Sequence, residues 1–90
     1  MKKATLVRID GTRKLLPSQP TLKEAQDLIG GYVEIINVGD NTFLVVDSDG
    51  KLRKLKVNMA ITREFGRNVY GGYIVGDVIV LEGWDTVKED

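Results

Sequence analysis

Leu28-Ile29-Gly30-Gly31-Tyr32-Val33-Glu34-Ile35-Ile36-Asn37-Val38 is the stretch on which the reading of the fold depends. Up to Ile29 the apolar residues recur at helical spacing, and from Tyr32 onward polar and apolar residues alternate as on a half-buried strand. Gly30 and Gly31 separate the two patterns. Lacking a β-carbon, one can take the left-handed conformation that closes a helix while the other lets the chain reverse against its neighbours. A helix therefore ends here and a strand begins.

Working backward, Leu22, Ala25, Leu28 and Ile29 form one helical face, and Thr21 with Glu24 three residues on forms a capping box. Pro17 and Pro20 bracket an extended link before it. Ala4 to Ile9 alternates, Asp10-Gly11 signals a tight turn, and Thr12 to Leu16 returns as a hairpin partner.

Working forward, Gly39-Asp40-Asn41 turns the chain into Thr42–Asp47, whose apolar run predicts a central strand. After the Ser48-Asp49-Gly50 turn, Lys51-Leu52-Arg53-Lys54-Leu55-Lys56-Val57 is expected as a cationic edge strand. Asn58 caps a short helix over Met59–Phe65, closed by Gly66, and 67–72 is read as a loop. Tyr73-Ile74-Val75, a Gly76-Asp77 turn and Val78-Ile79-Val80-Leu81 follow, the last apolar on both faces and therefore buried. The expected class is α+β: one main helix on a mixed or antiparallel sheet in the order ββαβββαβ(β), with a barrel-like curl or a β-grasp arrangement as candidate topologies. Residues 1–83 form a single domain in this reading. Residues 84–90 form an acidic, frayed tail that Trp84 pins at its start.

Ninety residues suffice for one small core, and the 42% hydrophobic and 29% charged fractions are those of an ordinary soluble chain. No apolar run reaches membrane-spanning length, and Arg8 and Asp10 interrupt any signal-peptide reading of Met1-Lys2-Lys3, so the expected location is the cytoplasm. Neither cysteine nor histidine occurs. Thiolate nucleophiles, zinc-thiolate sites and the usual neutral-pH proton shuttle are thereby removed, and the expectation is a non-enzyme with no catalytic residue, metal or cofactor. The 13 basic and 13 acidic residues cancel, but residues 1–30 are net +3 and residues 67–90 net −3. That polarity is compatible with head-to-tail self-association, or simply with two ends that attract within one fold.

Two Gly-Gly-Tyr elements stand out, Gly30-Gly31-Tyr32 and Gly71-Gly72-Tyr73. Paired glycines expose backbone N–H groups to an anion, and a tyrosine beside them can stack on a base; the competing reading is a helix cap and a loop end. Asn58, Thr62, Arg63, Arg67 and Asn68 gather phosphate-compatible groups around the second helix, against a reading as an N-cap with solvent-facing charges. Lys51, Arg53, Lys54 and Lys56 invite nucleic-acid binding, but alternation divides them between two faces and the net charge is zero, so nucleic acid ranks third. Asp40, Asp47 and Asp49 do not have the spacing of a calcium loop.

Taken together, Leu28–Glu34, Val45, the Asp49-Gly50-Lys51-Leu52 turn, Val57-Asn58, Ala60–Arg63 and Ile74–Leu81 resemble a family of short uncharacterised domains carried by bacteriophages, large DNA viruses and some bacteria. The resemblance covers about residues 4–82. It carries no site residue, and what it implies is context: a small accessory protein acting on something of the host. The expected function is capture of a small anionic, nucleotide-like ligand such as a host defence signal, in a pocket between protomers. The glycine pairs would offer N–H groups, Tyr32 or Tyr73 a stacking face, and Arg63 or Arg67 the charge. The alternative is a protein-interaction module that binds a host protein through a sheet edge or the Trp84 region.

Overall fold

The structure, a computed structural model, covers residues 1–90. Its local signals fold as their chemistry dictates. Thr21 Oγ accepts the Glu24 N–H at 3.0 Å while the Glu24 carboxylate accepts the Thr21 N–H at 2.8 Å, opening α1 (Leu22–Ile29). Gly30, at φ 92°, closes it in the left-handed region. The chain then enters β3 (Val33–Gly39) and returns through Asp40-Asn41 as β4 (Thr42–Asp47). Before α1, β1 (Lys3–Val7) and β2 (Arg13–Leu15) form the first hairpin, and β5 (Val78–Glu82) comes last.

These strands make one open, wholly antiparallel sheet in the order β2-β1-β5-β4-β3. It is α+β as expected, but neither closed into a barrel nor mixed. The last strand in sequence is the middle strand in space. β5 is apolar on both faces because both are covered: Val78 and Val80 join Leu44, Val46 and Ile61 on one side, while Ile79 and Leu81 join Val45, Ala25 and Ile29 on the other. Each fully buried aliphatic side chain of this kind contributes about 1.5–3 kcal/mol, so the central strands anchor the fold. The first helix lies on one face and α2 (Met59–Phe65), continued by a 3₁₀ turn at Gly66–Asn68, lies on the other. The arrangement is thus helix, sheet, helix, with the expected short second helix covering the face opposite α1.

Lys51–Val57 is not a strand. It winds through successive turns, with Arg53 N–H on the Asp49 carbonyl at 2.8 Å and Leu55 N–H on the Gly50 carbonyl at 3.0 Å. Lys54 sits in the left-handed region at φ 56°, a conformation that an extended strand does not contain. Val57 keeps only an isolated bridge to Val75, the sole strand-like feature of Tyr73–Val75. The sheet edges are instead β2 and β3. The last residues are docked rather than frayed. Trp84 and Val87 pack on the α1-side core, and Lys88 bridges to Thr21.

At the first hairpin, Asp10 accepts from the Thr12 N–H at 2.9 Å and from its hydroxyl at 2.7 Å. Chiefly the backbone bond, then the hydroxyl, holds the Asp10 carboxyl below its ordinary 3.8. Because the folded value is the lower one, the turn's contribution is complete above the ordinary value and is lost as pH falls through the folded one. In a carboxyl-carbon NMR titration, Thr12→Val should move the Asp10 midpoint part of the way back up; an unmoved midpoint contradicts the assignment.

Candidate ligand groove

The antiparallel register gathers one set of connections at one end of the sheet. Val7 pairs with Val78, Val45 with Ile79, and Val33 with Asp47, so the first hairpin turn, Gly30–Tyr32, residues 48–57 and residues 69–77 all lie there. Asn58 ties them together. Fully buried, its Nδ2 donates to the Val7 and Gly76 carbonyls, both at 3.0 Å, while Oδ1 accepts the Ile61 N–H at 3.1 Å. One side chain thus joins the start of α2 to the end of β1 and the approach to β5. Thr62 does the same one turn on: Oγ1 accepts the Ile74 N–H at 3.0 Å and donates to the Ile74 carbonyl at 3.3 Å.

Residues 48–56 cross this end as a strap that touches both Gly-Gly-Tyr elements. Arg53 pairs with the buried Asp47 carboxylate and donates to the Gly30 carbonyl at 3.4 Å. A β-carbon on Gly31 would lie 2.6 Å from the Arg53 guanidinium, so glycine leaves room for that ion pair. Lys51 reaches the second element, donating to the Tyr70 carbonyl at 3.2 Å with its ammonium 4.1 Å from the centroid of the Tyr73 ring, a cation–π contact.

Between the strap and residues 68–75 lies a half-open groove of about 470 Å³. Its buried floor is Val46, Ile74 and Val75, with Ile36 beside them. Its rim carries Lys51, Tyr70, Tyr73 and Asn68, and two carboxylates, Glu34 and Asp49. An apolar floor with aromatic walls and one ammonium suits a flat molecule bearing a single anionic group. The flanking carboxylates disfavour a highly charged one. No group of three or more side chains is placed to hold a metal ion.

Of the residues singled out by sequence, Asn68 and Tyr73 line this groove. Gly71 and Gly72, at φ 85° and 76°, shape the loop that presents Tyr73. Gly30, Gly31 and Tyr32 border a separate shallow hollow with Gln26 and Asp27. Arg63 and Arg67 are exposed, make no ion pair, and are not part of the groove wall. Asn58 and Thr62 face inward, with their polar atoms already engaged. Tyr70 is the residue sequence reasoning missed, and Lys51, noted there only as one of a basic run, reaches the groove because 51–57 is a turn.

The groove depends on one close approach. A β-carbon on Gly66 would lie 2.7 Å from the Gly72 carbonyl oxygen, a backbone atom that cannot step aside alone. Gly66 itself is helical, where alanine is intrinsically favoured, so the clash opposes propensity. Gly66→Ala is expected to cost about 1–2 kcal/mol and to shift the 70–73 loop, as urea unfolding and the Tyr73 ring resonances would report. A gain in stability would show that the loop yields freely.

The family model described as Domain of unknown function (DUF3846) matches residues 1–89. No curated protein and no solved structure matches the chain significantly.

Proposed function

The chain belongs to that family of domains of unknown function, and we propose that it is a small non-enzymatic binding protein whose groove captures a nucleotide-like ligand. The observation that carries this reading is the Lys51 ammonium held over the Tyr73 ring beside an apolar floor. A nucleobase would lie along Tyr73 and Tyr70, and a single phosphate would meet Lys51. With one cation and two carboxylates at the rim, mononucleotides, linear or cyclic, are favoured over polyphosphates. The groove volume falls within the roughly 300–1,000 Å³ range of small-molecule sites. The resemblance noted above adds the context of a phage or mobile-element accessory factor that sequesters such a ligand in the host cytoplasm.

Thermal melts against a panel of linear and cyclic mononucleotides test this. At about 100 times its dissociation constant a ligand adds about 2.7 kcal/mol, which for a domain this size raises Tm by about 10 °C or more. Lys51→Ala and Tyr73→Ala should each remove most of that shift. If no mononucleotide moves Tm at millimolar concentration, the capture reading fails.

A second reading, a module that engages a host protein, rests on a different observation. Tyr70, Leu52 and Tyr32 are 97%, 85% and 76% exposed, and all three lie at the connection-rich end. Aromatic residues of this kind anchor protein interfaces. Stoichiometric capture of one host protein, lost in Leu52→Asp, would favour it.

A further inference from the structure

The two edges of the sheet are unlike. β2 is three residues long and carries Arg13 and Lys14, a short cationic edge of the kind that discourages pairing. β3 is seven residues long, has no proline or lysine, and carries only one charge, Glu34. Its outward backbone groups follow from the ladder. Ser48 N–H donates to the Tyr32 carbonyl at 2.9 Å, so alternation directs the N–H and C=O of Val33, Ile35 and Asn37 away from β4. Beyond them the pairing shifts between Asn37 and Gly39, and the Val38 carbonyl is taken by the Asn68 side chain. The edge is therefore closed at one end and open over Val33–Asn37.

We propose that this edge pairs antiparallel with the same edge of a second copy, about a two-fold axis at Ile35. Bonds across such an edge form only between outward-facing residues. Centring on Ile35 uses all three, pairing Ile35 with the partner's Ile35 and Val33 with the partner's Asn37. Centring on Asn37 would run into the bulge and the occupied Val38 carbonyl, and centring on Val33 would draw in Gly31, which packs under Arg53 and Asp47. The Ile35 register also sets Glu34 opposite the partner's Ile36, so the two carboxylates do not oppose each other. The two sheets then continue as one of ten strands.

The pairing bears on the groove. Because β3 is the edge, nothing walls the groove beyond Glu34 and Ile36. A two-fold axis perpendicular to the sheet places the same face of both copies on the same side, so the two grooves meet. The partner's Glu34 and Ile36 then supply the missing wall. This inference rests on the edge and is independent of the ligand's identity.

Sedimentation velocity at about 10–100 µM, where a micromolar dimer is populated, should report a dimer. In amide exchange, the Val33, Ile35 and Asn37 N–H groups, free in a monomer, should slow by at least about tenfold as the dimer forms. Ile35→Pro removes the outward donor and also trims a half-buried side chain that packs on the α1-side core, so it should give a less stable but folded monomer, with folding checked by the near-ultraviolet signal of Trp84. A monomer at every concentration with freely exchanging Ile35 overturns the proposal. So does a dimer that survives in folded Ile35→Pro, or an Ile35 amide protected only when a different protein is added. Should Ile35→Pro not fold, the exchange rates of the unaltered chain decide alone.

Discussion

Replacing Asn58 by alanine is expected to cost about 3–5 kcal/mol, a large part of the roughly 5–15 kcal/mol that holds a domain of this size together. The side chain is wholly buried and makes three hydrogen bonds to three different segments. Alanine strands the Val7 and Gly76 carbonyls and the Ile61 N–H at once. An orphaned buried group costs about 1–3 kcal/mol, and loss of a helix cap about 1. The variants separate these contributions. Asn58→Ser keeps an acceptor for the cap but cannot reach both carbonyls, so it should fall between wild type and alanine. Asn58→Asp keeps the acceptor too, yet it sets a buried carboxylate against two carbonyl oxygens and should be at least as damaging as alanine at neutral pH. In urea, with a slope of about 1–3 kcal/mol per molar, the alanine midpoint should fall by about 1 M or more. A loss below about 1 kcal/mol, or an aspartate variant as stable as wild type, would show that these groups find other partners. Because Gly76 and Ile74 hang from the same helix, the groove response to ligand should weaken with stability.

Asn58 also shows where sequence reading succeeds and where it stops. That it caps α2 is local information, as are the Thr21–Glu24 box, the Gly30 stop and the Asp10-Gly11 turn; each involves residues within a few positions of one another. That its amide faces Val7, 51 residues away, is tertiary information, so a side chain suited to phosphate turned out to be engaged inside the fold. The strand order was hidden for the same reason. Nothing local says that β5 inserts between β1 and β4. A trace was present, since Phe43–Val46 and Val78–Leu81 are apolar at successive positions, and a strand apolar on both sides needs a cover on both. Taken at full weight, that observation requires the second helix to lie opposite the first. The groove was half legible: Tyr73 and Asn68 carry recognisable chemistry, whereas Lys51 reads in sequence as part of a cationic edge strand. Its contact with Tyr73 spans 22 positions, and only the turn at 48–55 brings it about.

Ending the chain after Gly83 is expected to cost about 2–3 kcal/mol, although the segment removed is acidic and all of it but Trp84 and Val87 is exposed. The argument starts at the first turn of α1, where Leu22, Lys23 and Glu24 present N–H groups with no partner inside the helix. Thr21 satisfies Glu24. The other two are satisfied by the last residues of the sequence: Leu22 N–H donates to the Lys88 carbonyl at 2.9 Å, and Lys23 N–H to both Asp90 carboxylate oxygens at 3.0 Å. A negative group at that position also opposes the positive end of the helix dipole. Lys88 N–H returns a bond to the Pro20 carbonyl at 2.9 Å, and Gln19 donates to the Thr86 carbonyl at 2.8 Å, so the link before α1 is held from the same side. Trp84 and Val87, both half-buried, cover the core beneath the helix. Against these gains stands the entropy of ordering seven residues, about 1–2 kcal/mol each for the backbone, which keeps the net effect well below the sum of the contacts. Two controls isolate the sources. Asp90→Ala removes only an exposed cap and should cost about 0.5–1 kcal/mol, whereas Trp84→Ala uncovers core and should account for most of the rest. Amide exchange locates the effect: in the shortened chain Leu22 and Lys23 should exchange faster, while Leu6 and Leu81, deep in the sheet, should follow global stability alone. If the shortened chain is as stable as the full one, the last seven residues are a passenger and the domain ends at Gly83. If it loses the expected amount, those residues are the outer clasp of α1 and belong to the fold.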